Sequence, residues 1–347
     1  MATYTEEETG PNEIDNFKPI FKKYKRRDRP LDVSDVIDFD KGNNLHMVEQ
    51  FKLKEPDHSL LTGLKPVCKW KAYCLKSNPG FLFIVNPFEK GYQRYWVSRC
   101  VKDYPCRPNV RNLDAYMDVG DVNIWNSSVD THKDDIANKE SLMMKLRWVT
   151  MGYHYHWGTK KYYKDSKAPF QEDMSRLGRH VASAIGYPKF SPEAAVLNYY
   201  HLDSSLSGHT DHSEFDHSAP LISFSFGQDA IFLIGGETKE TEPSAVFLRS
   251  GDICVMSSSA RLVYHAVPRI METDPERNRN CFDISDISKL DSESCTSDSC
   301  ESKAHRQIIE RLHSDDWNLM SKYLSQTRIN FNIRQVLVPD REFPAES

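Results

Sequence analysis

The spacing of apolar residues changes character near residue 190. Upstream of it, apolar positions fall at helical intervals or in isolated runs. In "NFKPIFKKYKRRDRP" (16–30), Phe17, Phe21 and Tyr24 stand at i, i+4 and i+7. That spacing puts them on one helix face and leaves the basic residues on the others. The segment reads equally as a helix docking its aromatic stripe and as a phosphate-contacting or nuclear-targeting patch built from Lys22, Lys23, Lys25, Arg26 and Arg27. "FLFIV" (81–85) reads as a strand, "QRYWVSRCVKDY" (93–104) as a helix and 120–145 as polar helix or loop. "LRWVTMGYHYHWGTKKYY" (146–163) is dense in aromatic and basic residues and has no helical period. "QEDMSRLGRHVASAIGYP" (171–188) is a helix ended by Gly186 and Pro188.

Downstream, short strand-like runs alternate with turns: "AAVLNYY" (194–200), "LISFSFG" (221–227), "AIFLIGG" (230–236), "SAVFLRSGDICVMSS" (244–258), "RLVYHAV" (261–267) and "TRINFNIRQVLV" (327–338). Helices followed by many short strands predict an antiparallel sandwich or barrel with helical support. An insertion separates the last two runs. Its first half (271–300) is acidic and serine-rich and is expected to be mobile. Its second half (305–324) reads as one amphipathic helix.

Composition narrows the class. The chain has 347 residues, 39% hydrophobic and 27% charged, which suits an ordinary globular protein. A net charge of −5 does not mark a general nucleic-acid binder, so any such surface must be local. No apolar run is long enough to span a membrane, and residues 1–15 read as an acidic tail with no secretory signal. None of the eight cysteines forms a Cys-x-x-Cys pair, which favours a reduced intracellular protein without a cysteine zinc site. Cys295 and Cys300, around "TSDS", are minor candidates for a metal or regulatory role.

Candidate chemistry concentrates in the strand-rich half. In "GHTDHSEFDHS", His209 and Asp211 are two apart, and in a strand would share a face. An imidazole and a carboxylate, joined by His265 of "RLVYHAV", would make the facial triad of a non-haem Fe(II) oxygenase. His265 alone reads more readily as a satisfied core histidine, and only the residues around it favour the ligand. His212 faces opposite the pair and His217 lies in a polar loop, so neither is expected to be a ligand. In "TRINFNIRQV", Arg328, Asn330, Asn332 and Arg334 alternate with Ile329, Phe331 and Ile333. The polar face is either solvated or lines a barrel. If it lines a barrel, the arginines need anionic partners, and a dicarboxylate such as 2-oxoglutarate would supply them. Asn198 and Tyr200 have tips suited to a carboxylate or keto acid; the tyrosine would otherwise cap the core.

Taken in order, "NYY", "HTD", "PLISFSFGQDAIFLIGG", "SGDICVMSSSARLVYHAVPR" and "RINFNIR" resemble the AlkB family of Fe(II)/2-oxoglutarate dioxygenases. "KLRWVTMGYHYHW", "AVLNYYHLDSSL", "SEFDHS" and "NPGFLFIVNPF" are similar to its AlkB homologue 1 branch. The resemblance implies an α+β fold with a double-stranded β-helix (jelly-roll) core supported by N-terminal helices. It implies a tail (1–15), an N-terminal extension that helps recognise substrate (16–145) and a dioxygenase domain (146–347) with a mobile acidic insertion around 271–302. It assigns Fe(II) to His209, Asp211 and His265. Arg328 would pair with the distal carboxylate of 2-oxoglutarate, which Asn198, Tyr200 and Asn330 would hydrogen-bond, and Arg334 would sit near its metal-side carboxylate. O2 is the oxidant.

Trp148, Tyr153 and Tyr155 would face the substrate base. Bacterial members carry a carboxylate two residues beyond the metal aspartate. Here that position is Ser213, with Glu214 next, and these two become the expected readers of the base. The activity implied is oxidative demethylation of N-methylated nucleobases in unpaired nucleic acid: 1-methyladenine in tRNA, N6-methyladenine in DNA, with 3-methylcytosine repair or 5-methylcytosine oxidation as further options. A monomer in nucleus and cytoplasm, or mitochondrion, is expected. The rivals are a histone or protein demethylase on the same fold, an inactive binding module and, with least support, a zinc hydrolase.

Overall fold

Strands from both halves of the chain pair into two antiparallel sheets that face each other in the computed structural model, which describes residues 14–56, 63–288 and 300–344. The larger sheet runs Val48–Gln50, Lys71–Leu75, Asn78–Val85, Ile253–Met256, Leu221–Gly227, Thr327–Arg334, Ala194–His201, Trp148–His156 and Val110–Arg111. Lys161–Lys167 pairs with the far end of Trp148–His156 to make a hairpin. The smaller sheet runs Ser244–Leu248, Asp229–Ile234, His265–Met271 and Leu206–His209. Phe81, Phe83, Leu221, Phe232, Leu248 and Val267 meet between the two sheets. This is the jelly-roll core expected.

The last strand explains the architecture. Ile329, Phe331 and Ile333 are fully buried with Phe224 and Phe226, packed under Trp96, Leu177 and Val181 of the covering helices. Helices therefore take the apolar face, and the polar face of Arg328, Asn330, Asn332 and Arg334 turns between the sheets. The open choice between barrel interior and solvent is settled for the interior. Phe331 stacks on Phe224 at 4.7 Å and lies 6.0 Å from Trp96. Phe331→Ala should cost about 3–5 kcal/mol of unfolding free energy in a denaturant melt, and a loss well under 1 kcal/mol would contradict this packing.

The helix Phe17–Lys25 lies across the outer face of the smaller sheet. Phe17 and Tyr24 are buried against Ile231, Leu233, Phe247 and Ala266. The aromatic stripe docks on the sheet, one of the two readings of this segment, and Lys22, Lys25, Arg26 and Arg27 stay exposed. Part of this charge is already engaged: Lys23 pairs with Asp35, Arg26 with Asp28, and Arg27 donates to the Leu202 carbonyl.

Three expectations are corrected. Residue 145 is not a boundary between structural units, because Asn78–Val85 hydrogen-bonds along Ile253–Met256 and extends the same sheet. The insertion is built into the molecule through residue 288. There Asp274 caps the helix Pro275–Phe282, Arg277 pairs with Asp229 and Asp40, and Phe282 packs on Trp317. The expected single helix is two, Cys300–Leu312 and Trp317–Leu324. Between them Ser314 and Asp316 make local and cross-chain hydrogen bonds, with Lys102 and Trp125 donating to Asp316. Most of the acidic tail, residues 289–299 with Cys295, and the Cys300 side chain lie outside the described residues.

Candidate metal centre and cosubstrate pocket

His209 ends one strand of the smaller sheet and His265 begins its neighbour. The two are direct partners in the ladder, with rings 4.3 Å apart. Asp211 completes the cluster, and one ligand atom from each residue lies within 4.8 Å of the others. Strand parity does not place Asp211, since the strand stops at His209 and residues 210–220 have no regular structure. Arg261 and Arg334 are in contact with it instead. Arg261 Nη1 donates to the Asp211 carbonyl (2.6 Å) and Arg334 Nη2 to its carboxylate (3.1 Å).

Each imidazole turns Nδ1 to a backbone carbonyl, His209 to Ser207 (2.9 Å) and His265 to Val263 (3.2 Å). Nε2 of both then faces Asp211, at 4.0 and 3.6 Å. A carbonyl at Nδ1 holds the proton there and leaves Nε2 as the ligand atom. Burial, with His265 adding to it, pushes His209 down to about 4, so the imidazole is neutral. Against burial, Arg334 and the histidines hold the Asp211 carboxyl well below the usual range. Two imidazoles and one carboxylate suit a divalent iron. His212 and His217 are exposed and outside the cluster, as expected.

The cluster opens into a cavity of about 600 Å³, counting the part open to solvent. Asn198, Tyr200, Ser223, Arg328 and Asn330 are among the residues lining it. Cross-strand register puts Arg328 beside Tyr200 and Asn330 beside Asn198. Arg328 is 1% exposed. Its Nη2 donates to Ser225 Oγ (2.8 Å), whereas Nε and Nη1 have no hydrogen-bond partner. The Tyr200 ring lies 5.4 Å from the guanidinium. Among the described residues no carboxylate pairs with Arg328, and burial lowers its pKa below the ordinary value. A buried cation with unmet donors is costly unless a ligand completes it. The fit to one carboxylate of 2-oxoglutarate is therefore good. Asn330 is held for the same pocket by donating to Ser223 Oγ and the Phe224 carbonyl.

The aromatic residues divide. Trp148 stands opposite Asn198 in the ladder and packs on Trp157 (5.1 Å), which lines the cavity. Tyr155 meets Trp157 edge-on at 4.8 Å, and its hydroxyl accepts from Ser213 at 3.5 Å. Tyr153 does not face the cavity: its ring packs on Phe343 and under the Lys167 ammonium. Gly152, with a φ of 67°, and a register shift between Tyr153 and Tyr155 break the simple alternation along Trp148–His156, so spacing from Trp148 does not fix which of these rings turns to the cavity.

Glu214 is also corrected. Its side chain is fully buried and both oxygens accept hydrogen bonds from within the chain, from Tyr162, Arg334 and Arg261. Arg334 in turn is committed to Glu214 and Asp211. Sequence reasoning passed over Arg261 and Trp157. The only signal for Arg261 was a cation four residues before His265 at the edge of an apolar run.

Comparison with known proteins agrees with this geometry. Residues 80–334 match the 2OG-Fe(II) oxygenase superfamily. The chain is 42% identical over 356 residues to the human nucleic acid dioxygenase ALKBH1, covering 97% of this chain and 88% of that protein. It is 31% identical over 331 residues to the tRNA demethylase abh1 of Schizosaccharomyces pombe (91% and 93% covered). It is 29% identical over 352 residues to the DNA N(6)-methyladenine demethylase ALKBH1A of Arabidopsis thaliana (91% and 90% covered). With a histidine–aspartate–histidine cluster opening on the same cavity as a buried arginine that lacks an anion, the chain belongs to this superfamily as an AlkB-family dioxygenase of the AlkB homologue 1 type.

Proposed function

We propose that this dioxygenase oxidatively demethylates nucleobases in nucleic acid, with 1-methyladenine in tRNA and N6-methyladenine in DNA as its substrates. The observation that carries the reading is the aromatic cluster at the cavity wall. Trp157 lines the cavity, Trp148 and Tyr155 pack on it, and the hairpin Trp148–Lys167 that carries all three exposes Lys160, Lys161, Lys164 and Lys167. Aromatic faces beside cations suit a base and its phosphates. The names of the relatives, nucleic acid dioxygenase and tRNA or N6-methyladenine demethylase, support the same substrate class.

Bound iron and 2-oxoglutarate would supply the oxidising chemistry, with O2 as oxidant, that converts a methyl group to formaldehyde. The chain supplies placement. His209, Asp211 and His265 would hold the iron. Arg328 would take the distal carboxylate, Asn198, Tyr200 and Asn330 would orient the cosubstrate, and the aromatic rim would stack the base and exclude water. A base inside a duplex cannot reach the cavity, so unpaired or flipped bases are required.

The test is a panel incubated with Fe(II), 2-oxoglutarate and air, read by mass spectrometry: a 1-methyladenine tRNA hairpin, oligonucleotides carrying N6-methyladenine, 3-methylcytosine or 5-methylcytosine, and a methylated histone peptide. Succinate in step with demethylated base, on single strands more than duplexes, is expected. Turnover of the peptide alone, or of none of them, overturns the reading.

The hairpin has its own test. Lys161→Ala with Lys164→Ala should weaken oligonucleotide binding across sequences and reduce the salt slope by about 1–2, in log units of affinity per log unit of salt, in anisotropy titrations. The KM for 2-oxoglutarate should not move. An unchanged slope would mean that the hairpin lysines do not contact phosphates.

A further inference from the structure

Behind the metal cluster, two buried arginines and two buried carboxylates form one chain of contacts. Glu214 Oε2 accepts from Arg261 Nη2 (2.8 Å), and Glu214 Oε1 accepts from Arg334 Nη1 (2.9 Å) and from the Tyr162 hydroxyl (3.0 Å). Arg334 Nη2 then reaches Asp211 Oδ2, and Arg261 Nη1 reaches the Asp211 backbone carbonyl. The side chains of Glu214, Arg261 and Arg334 are 0%, 3% and 8% exposed. Asp211 is gripped twice, once by its backbone and once by its carboxylate, and Glu214 ties the two grips together. It sits three residues from Asp211 on a segment outside strand and helix. Further along, the Phe215 N–H donates to the Val336 carbonyl and Gln335 to Asp216, which ties the segment down there. Arg261 and Arg334 are left as the contacts that grip Asp211 itself from behind.

We infer that Glu214 is a positioning residue for the metal site: by bridging Arg261 and Arg334 it sets how Asp211 is presented to the metal, and it does not read the substrate base. The physical reason is charge balance. With both carboxylates ionised, two arginines face two anions. Without the Glu214 charge, Arg334 has Asp211 as its remaining anion and draws that carboxylate into a closer ion pair, in competition with a divalent cation. Arg261 at the same time loses its only ion pair among the described residues, which loosens its hold on the Asp211 carbonyl. Outer partners of metal ligands act in this way elsewhere, and their loss costs about 10–100-fold in metal affinity.

This inference rests on the metal site described above, but not on its substrate. The experiment is titration of the full-length apo protein with Co2+ alone, reading the d–d absorption bands. Circular dichroism checks the fold, and base preference is measured separately as the kcat/KM ratio for two methylated oligonucleotides. Glu214→Gln keeps shape and loses charge; it is expected to weaken Co2+ about tenfold or more, to shift the d–d bands and to leave the base ratio unchanged. Glu214→Asp keeps the charge but is one methylene too short to reach both arginines, and should fall between wild type and Gln. Should the Gln variant not fold, the Asp variant decides alone: reduced Co2+ affinity supports the inference, and wild-type affinity overturns it. A folded Gln variant with wild-type affinity and bands, or with an altered base ratio only, also overturns it. A wild-type protein that binds Co2+ but demethylates none of the panel contradicts the proposed function and leaves this inference standing.

Discussion

Arg328→Met is expected to abolish 2-oxoglutarate-dependent turnover while making the protein, in the absence of cosubstrate, as stable as wild type or more so. The guanidinium is buried with Nε and Nη1 unpartnered, and among the described residues no carboxylate balances its charge. Leaving a buried donor unsatisfied costs about 1–3 kcal/mol, more for a charged group. Methionine removes that cost and fills most of the space beside Tyr200 and Cys254. Against this stands the lost hydrogen bond to Ser225, worth about 1 kcal/mol. The net change should lie between zero and about 2 kcal/mol of added stability. Function moves the other way. In wild type, 2-oxoglutarate at about 100 times its Kd, with Mn2+ in place of iron, should add about 2.7 kcal/mol of stability. The variant should gain almost nothing. Thermal melts with and without cosubstrate check both halves. A variant that is clearly less stable alone, or is stabilised by 2-oxoglutarate as wild type is, would show that Arg328 already has its partner within the chain.

Asp211→Asn should eliminate turnover and lower Co2+ affinity by more than the 10–100-fold, roughly, that loss of an outer partner costs. A neutral amide gives up the one carboxylate that this cluster offers a divalent ion, where the other two groups are imidazoles. The fold should survive. Arg334 retains Glu214, and Arg261 retains the backbone carbonyl of residue 211, which the substitution does not touch. The expected pattern is near-wild-type unfolding of the apo protein, combined with loss of the metal-dependent rise in melting temperature. Wild-type Co2+ binding by this variant would place the metal elsewhere. Collapse of the apo protein would mean that the Arg334–Asp211 pair carries the fold rather than the chemistry.

Reading the site from sequence succeeded where one strand supplied its own geometry. Arg328, Asn330 and Arg334 share a face because a strand repeats every two residues, and the ladder sets Arg328 opposite Tyr200 and Asn330 opposite Asn198. It failed where parity was extended too far. Asp211 lies past the end of its strand, and its position depends on two arginines 50 and 123 residues away. Tyr153 was expected at the substrate base by resemblance, but the irregularity at Gly152 and the register shift after Tyr153 leave its ring on Phe343. Glu214 looked like a free carboxylate beside the substrate because nothing in "HTDHSE" reveals that Tyr162, Arg261 and Arg334 converge on it.

By itself the sequence determined which residues could share a face and which residue types could hold iron and a dicarboxylate. These depend on neighbours a few positions apart, and local periodicity encodes them. The change of pattern near residue 190 did not separate helices from strands, since among the described residues six strands precede it and three α-helices follow it. Only the tertiary structure decided which face of the last strand was dry. It also showed that residues 78–85 complete the same sheet as residues 253–256, and that Glu214 belongs to the support of the metal centre. Those outcomes turn on burial and on the pairing of charges distant in sequence, and the cost of a buried charge exists only once the surrounding layers have closed over it.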